Sequence, residues 1–462
     1  MHQSAETFDQ NARQALQDKQ LRGALQNLAT TFGERRKLAI ATVDDWEGLR
    51  EQARAVKDET LSQLDKYLAE FADNAARAGA QVHWARDAHE ACSLIINLLQ
   101  ARGAKRIVKS KSMTTEEIHL NAALEKSGWA PVETDLGEWI IQLADETPSH
   151  IVVPAIHKSK RQIAELFVDK IGIAPTDDVD VLTQTARVKL REEFAQADVG
   201  ISGVNFGVAE TGTFLILENE GNARLTTSLP KTHIAVMGIE KIVPRLADLD
   251  VFLKLLPRSG TGQQLTAYQS LITGTSNEGP EEVHIVIMDN GRSRMLAHPV
   301  TRQALACIRC GACLNACPVY QNIGGHAYGA VYPGPIGAVI TPQLNGLEKN
   351  RQLPFASSLC GACREVCPVK IDIPELLLHL RAEIKEGTPQ HGPVEHKLLE
   401  RLAFRMYAWA CSRRWSYEWG AKLARLVQFA AKNTPPLAAW SAGRETPKLA
   451  KRSFRDEWRQ KN

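Results

Sequence analysis

No run of eighteen or more apolar residues, the length a bilayer-spanning helix needs, occurs in this chain. The first residues, Met1-His-Gln-Ser-Ala-Glu-Thr-Phe8, lack the basic start and apolar core of a secretory leader. Those absences predict a cytoplasmic protein without a transmembrane segment, leaving only peripheral contact with a membrane open. Neither G-x-G-x-x-G nor G-x-x-x-x-G-K-[ST] occurs, so nicotinamide, flavin or nucleoside-triphosphate binding by those routes has no support. No nucleophile triad or paired acid–base set stands out by spacing, so no catalytic residue is named. Composition is ordinary for a globular protein, at 44% hydrophobic, 24% charged and net charge +3. A length of 462 residues predicts two or three domains. Cysteine is sparse, with nine in all, but seven of them lie between positions 307 and 367.

Those seven form two blocks. The first is Cys307-Ile-Arg-Cys310-Gly-Ala-Cys313-Leu-Asn-Ala-Cys317-Pro318, and the second is Cys360-Gly-Ala-Cys363-Arg-Glu-Val-Cys367-Pro368. A shift of fifty positions lays Cys310, Cys313 and Cys317 on Cys360, Cys363 and Cys367; opposite Cys307 stands Ser357. Structural zinc wants four ligands in two pairs, whereas cysteines spaced two, two and three residues apart before a proline suit an iron–sulfur cube. Disulfides are disfavoured in a reducing compartment. In two-cluster ferredoxins the fourth cysteine of each run ligates the other cluster. Cluster 1 therefore takes Cys307, Cys310, Cys313 and Cys367. Cluster 2 takes Cys317, Cys360 and Cys363, with Ser357 at the vacant ligand position. The metal is iron, through these seven cysteines. Cluster 2 is then either [3Fe–4S] or a [4Fe–4S] whose last iron takes Ser357, water or a partner's group. The other two cysteines, Cys92 and Cys411, read as buried small apolar residues.

Residues 1–100 have helical spacing of apolar residues, including Trp46, Val56, Leu64 and Phe71, and read as a helical segment packing on the next domain. From 101 to 297, β-rich runs alternate with amphipathic stretches, which predicts an α/β domain with a largely parallel sheet. The expected strands are 106–110, 151–154, 199–202, 214–217, 234–237 and 284–288. Helices are expected at 114–127, 159–168 and 188–196, and a hairpin from Phe214 to Thr227 turning at Glu220-Gly221. Ser259-Gly-Thr-Gly262 reads as a turn before it reads as a phosphate cradle. Residues 298–385 form a mostly helical ferredoxin-like domain. Its segment Gly324–Gly337 has too much glycine and proline for a long regular element, and either covers a cluster or acts as a spacer. There His326 is a weak candidate for iron, since thiols already satisfy the pattern.

Residues 386–462 form a helical tail. From His391 onward fifteen Lys and Arg face six Asp and Glu, a net of +9, and five of the nine tryptophans lie here. Leu398, Leu399, Leu402, Met406 and Trp409 fit one helical face. Basic residues among aromatics can bind single-stranded nucleic acid, but no nucleic-acid fold accompanies them, so docking on a partner protein or an anionic surface is expected instead.

Val204-Asn-Phe-Gly-Val-Ala-Glu-Thr-Gly-Thr213, Ser228-Leu-Pro-Lys-Thr-His233, Leu256-Pro-Arg-Ser-Gly-Thr-Gly-Gln263 and Lys109-Ser-Lys-Ser-Met-Thr-Thr-Glu-Glu-Ile118 resemble the LUD (lactate utilization) domain. Joined to the two cysteine blocks and the basic tail, the combination resembles the lactate utilization protein B family. The resemblance implies a sheet like that of sugar isomerases and CoA transferases. It also implies two [4Fe–4S] clusters and membership, with two partner subunits, of a complex that oxidises L-lactate to pyruvate, with L-lactate at its own or a shared site. Within the domain, Glu210 is a candidate to face a ligand. Lys109, Lys111, Lys231, His233 and Arg258 are candidates to bind an anion, against the plainer reading that they solvate the sheet edge or form ion pairs. Competing readings are an iron–sulfur subunit of another 2-hydroxyacid or disulfide oxidoreductase, an iron–sulfur sensor with a nucleic-acid-binding tail, and an independent transferase or isomerase.

Overall fold

The computed structural model describes residues 4–387, 398–431 and 448–461. They fall into two compact units, 1–394 and 395–462.

The first unit is built on a six-stranded sheet, ordered β1 (Gln81–Ala85), β10 (Glu282–Met288), β7 (Thr232–Gly238), β4 (Val199–Gly203), β2 (Ile107–Lys109) and β3 (Val132–Glu133). Every pairing in it is parallel. The central strands β7 and β10 are buried along almost their whole length, and each carries a continuous apolar run, 234–237 and 285–288. A second sheet, β8 (Ile242–Val243), β5 (Phe206–Val208), β6 (Thr213–Glu218) and β9 (Tyr268–Ile272), pairs antiparallel except between β5 and β8. The α/β expectation holds as a mixed fold with one parallel sheet.

Several local expectations are corrected. The partner of β6 is β9, not 223–227, because Gly221 turns left-handed and Asn222–Ser228 becomes a helix. Residues 151–154 form bends and turns rather than a strand. Two helices, Met113–Glu117 and Leu120–Lys126, replace the single one expected over 114–127, parted by left-handed His119. The sheet begins at Gln81, so its first strand and the helix Ala88–Ala101 precede the boundary expected at residue 100. Short β3, β5 and β8 and exposed β9 carry too little apolar pattern to read from sequence.

The helix Trp46–Ser62 joins the sheets to the cysteine region. Its buried Lys57 donates to the carbonyls of Glu240 and Ile242 at 2.6 and 3.3 Å. One turn-set earlier, buried Arg50 donates to Cys367 O at 2.8 and 3.0 Å. The N-terminal helices thus pack on the cysteine region as well as on the α/β layers. A second clamp is the end of helix Leu249–Gly260, where a Cβ on Gly260 would stand 2.6 Å from Cys310 O; only glycine allows that approach.

In the second unit, helices Leu398–Ser412 and Arg414–Ala431 carry Trp409 and Trp415 edge to face at 5.8 Å. Leu398, Leu399, Leu402, Met406 and Trp409 are all more than half exposed, so their apolar face is unburied within the described residues. Cys411 is exposed, contrary to expectation, while Cys92 is buried. No helix among the described residues is long and apolar enough to cross a membrane. Trp440 and residues 388–397 lie outside the described residues.

Candidate iron–sulfur site and an adjoining cavity

The two cysteine blocks fold alike. Arg309 and Leu359 both turn left-handed, with φ of 60° and 56°, followed by Gly311 and Gly361 at 79° and 87°. Each turn opens a five-residue helix, Ala312–Ala316 or Ala362–Val366, which the last cysteine of the block, Cys317 or Cys367, and its proline close. Non-glycine residues rarely adopt positive φ; here the strain wraps the loop inward. In the first block the Arg309 N–H donates to Cys307 Sγ at 3.4 Å. In the second, the Leu359 N–H donates to Ser357 Oγ at 3.1 Å. Ser357 therefore holds the place of Cys307 in the same turn.

Cys307, Cys310 and Cys313 of the first block and Cys367 of the second line one small cavity, closed by Ile151, Ile308, Ile336, Val369, Ile371 and Ile373. Ile336 comes from the Gly324–Gly337 segment, which covers this cavity. Its last residues open a helix, Gly334–Asn345, with Pro335 in the first turn. Burial pushes the Cys367 thiol up to about 11 and Cys310 further, with neighbouring sulfurs adding to the rise. Cys313 also rises through burial and Cys307, opposed by the Ile336 N–H. The Ile371 N–H donates to Cys367 Sγ at 3.4 Å. Such thiols keep their protons until a cation displaces them. Cys317, Cys360 and Cys363 form the other neighbourhood: burial and then Cys317 push Cys363 up to about 12, and Cys360 raises Cys317 beyond what burial does. Cys360 is exposed.

A buried charge network backs the first cavity. Arg292 pairs with Glu117 at 2.7 Å and Glu240 at 2.5 Å, and Tyr332 donates to Glu117 at 2.6 Å. Arg309 lies 3.5 Å from Glu240 and 4.6 Å over the Tyr332 ring. Burial lowers Lys57 and Lys241 to about 8. Glu240 goes down to about 2, because Arg292, Lys241 and Arg309 together outweigh its burial. The cations Lys57, Lys241, Arg292 and Arg309 thus outnumber the carboxylates Glu117 and Glu240, and burying that excess is costly without a further anion. An iron–sulfur cube held by four thiolates is an anion, so thiols and charges both fit one.

A cavity of about 270 Å³ lies on the other side of Arg309 and Cys310. Part of its lining comes from residues just past the C-terminal ends of the parallel strands: Ser110–Thr114 after β2, Asp135 after β3, Val204 and Asn205 after β4, and Lys241 after β7. That edge is where open α/β sheets receive ligands. Ile151, Arg309 and Cys310 line both cavities, so the wall between them is shared.

The proposed anion set is not assembled. Lys109 is fully enclosed by Glu133 at 2.6 Å and Glu116 at 3.1 Å, which hold its charge despite burial. His233 meets Ser202 at 2.7 Å, and burial depresses it to about 3. Lys231 pairs on the surface with Glu281, and Arg258 caps carbonyls of Ala39, Lys254 and Gln264. Only Lys111 lines the cavity. Glu210 is exposed and accepts the Leu246 N–H at 2.9 Å, outside it. Gly260, Thr261 and Gln263 of the glycine-rich turn do line it. His326 meets Thr147 O at 2.6 Å and lies tilted against His157 at 4.4 Å, and it does not line the thiol cavity. Sequence reading missed Arg309 and Lys241; an arginine inside a cysteine loop was the available signal for the first, and nothing marked the second.

The comparisons with known proteins bear on this geometry. The LUD domain matches residues 68–296, the 4Fe-4S dicluster domain 303–371, and the C-terminal domain of lactate utilisation protein B 379–462. Lactate utilization protein B of Bacillus cytotoxicus is 44% identical, over 99% of this chain and 98% of that protein. The chain belongs to the lactate utilization protein B family. The Bacillus thuringiensis member is 43% identical over 98% of this chain and 97% of its own. Among solved structures, a duf162 family protein from Deinococcus radiodurans overlaps 49% of this chain and 98% of its own, with 15% identity and a TM-score of 0.29. As a lactate utilization protein B family member, the chain carries a cysteine-rich dicluster segment and therefore iron–sulfur chemistry.

Proposed function

We propose that this chain is the iron–sulfur electron-transfer subunit of a multi-protein system that oxidises L-lactate to pyruvate, together with two partner subunits. The observation that carries it is the convergence of four thiols from two blocks on one apolar cavity. Cys307, Cys310, Cys313 and Cys367 hold the first [4Fe–4S] cluster. Cys317, Cys360 and Cys363 hold the second, with Ser357 Oγ at its fourth corner in the turn that elsewhere presents Cys307.

When bound, each cluster supplies a one-electron store, so two of them match a two-electron donor. The chain's own residues set the conditions. Isoleucines exclude water from the first site, N–H groups of Arg309 and Ile371 donate to its sulfurs, and Lys57, Lys241 and Arg309 offset its negative charge. The second site opens at exposed Cys360, which suits exchange with a partner. The exposed apolar face of Leu398–Ser412 serves as a docking element, and the Asn462 end of the chain is basic overall.

The test is anaerobic reconstitution followed by L-lactate, alone and with the partner subunits. Bleaching of the visible absorption with partners is expected. No bleaching with any partner would remove lactate from the account, whereas bleaching by the chain alone would make it the dehydrogenase itself. Deletion of residues 395–462 is expected to abolish co-purification with the partners; retention through high salt would remove the docking role.

A further inference from the structure

The cavity beside the first thiol site has a chemistry of its own. Its inner wall carries Lys241 and Arg309, and Lys111 stands nearby. The Lys241 ammonium makes no hydrogen bond or ion pair with any described residue, although the residue is only 8% exposed. Arg309 has a 9% exposed side chain, and its Nη1 is buried without a hydrogen-bond partner. Thr266 Oγ1, also in the lining, is buried and unpartnered too. Buried donors left open in this way are rare unless something binds them.

The acidic residues of the lining are already engaged. Glu218 accepts the Gly221 and Arg224 N–H groups at 2.5 and 3.0 Å, Asp135 accepts that of Glu138 at 3.1 Å, and Glu220 that of Leu136 at 3.0 Å. The buried lining atoms left without a partner, Arg309 Nη1 and Thr266 Oγ1, are both donors, and with Lys241 they suit an anion. Between them lie Met113, Ile151, Val152, Ile216 and Leu256, a surface for a short alkyl group. Six heavy atoms, at a water's share of about 30 Å³ each, need less than about 200 Å³; the cavity has about 270 Å³.

We propose that this cavity binds a short-chain 2-hydroxy acid and the corresponding 2-oxo acid, with the carboxylate on Lys241 and Arg309 and the second oxygen within reach of Thr266. The substrate class rests on the lactate-oxidation reading; the cavity and its anion selectivity do not. Because Lys241 and Arg309 also back the thiol site, ligand and cluster draw on the same positive charge. Binding an anion there makes an added electron on the first cluster less favourable, so its midpoint potential falls.

The experiment uses the reconstituted full-length chain, with L-lactate, pyruvate and acetate as probes. Calorimetry is expected to give saturable binding of lactate and pyruvate and weaker binding of acetate. Lys241→Met is expected to weaken lactate at least about tenfold, the loss of one charged hydrogen bond. Thr266→Val should narrow the gap between lactate and acetate. In an EPR-monitored redox titration, pyruvate should lower the first cluster's potential in the wild type and not in Lys241→Met, whose fold is checked by far-UV circular dichroism, independently of the cluster that Lys241 backs. Equal lactate affinity in wild type and Lys241→Met, or no saturable binding of any of the three acids, overturns the proposal. If partners support lactate bleaching while this chain binds none of the acids, the cavity assignment fails and the lactate reading stands. If the cavity binds pyruvate but no partner supports bleaching, the reverse holds.

Discussion

The two cysteine blocks share a backbone and differ in everything around it. Arg309 and Leu359 occupy the same left-handed turn position, yet Arg309 is drawn into a buried network with Glu240 and Tyr332, while Leu359 is only half-buried. Cys310 sits under Gly260 of the α/β layer, whereas its counterpart Cys360 is exposed. Spacing alone fixes the loop that presents the sulfurs; what packs on the loop decides charge, water access and which neighbours the site can talk to. The first block faces a ligand-sized cavity, and the second faces solvent.

The sharpest way to break that comparison is to remove one thiol from each block. Cys310→Ala should cost about half the bound iron, since one of two clusters goes, and should lower the thermal midpoint because buried layers lose their shared centre. Cys360→Ala should cost similar iron with a much smaller drop in midpoint. Equal drops in calorimetry would mean that the surroundings do not differ in the way the burial indicates. Next in size is the charge behind the first block. Arg292→Met leaves Glu117 and Glu240 buried without their partner and should cost about 3–5 kcal/mol in chemical denaturation. The matching cut at the second block, Arg364→Met, removes an exposed pair with Asp372 and should stay within about 1 kcal/mol.

The cysteine blocks were legible because a fixed spacing before proline has one economical chemistry, and the repeat was visible as an offset of fifty positions. The central strands were legible because parallel strands buried on both faces are continuous apolar runs. Two- and three-residue strands such as β3, β5 and β8 have no period to detect. The plainer reading of the anion set holds, because Lys109, Lys231, His233 and Arg258 each already have a partner within the fold. A lysine paired with Glu133 looks, in one dimension, like a lysine waiting for substrate. Lys241 was invisible for the opposite reason: it follows β7 with no motif, and only the fold turns it toward the cavity wall.

A smaller difference between the blocks should emerge with acid. His150 is buried beside the first block, where Asn315 meets its Nε2 at 3.1 Å and its Nδ1 accepts the Val152 and Val153 N–H groups. Burial lowers it from 6.5 to about 4, and Lys111 adds to the fall while Asn315 opposes it. Between about pH 6.5 and 4 the unfolded chain binds a proton that the folded chain refuses, so stability decreases as pH falls through that window. His233 acts in the same direction. Denaturation midpoints between pH 7 and pH 4.5 should fall, and His150→Asn should flatten the slope. A slope unchanged by His150→Asn would place the acid-sensitive step elsewhere.

The mildest change is the most direct comparison of the two loops. Ser357→Cys restores the thiol that the first block has at Cys307, in a turn whose N–H already points at the side-chain position. Sulfur for oxygen adds little volume at a half-buried site, so global stability should move by less than about 0.5 kcal/mol. What should change is the second cluster: a fourth thiolate is a better iron ligand than a serine oxygen, so the variant should resist oxidative loss of iron. EPR of the protein as purified reads this as a smaller signal from any oxidised three-iron centre, with the first cluster's spectrum untouched. If the wild type has a strong three-iron signal that persists after anaerobic reconstitution with iron, the second site is [3Fe–4S] and Ser357 is no ligand. Serine at this corner would then mark where the repeat stopped binding iron rather than where it binds it differently.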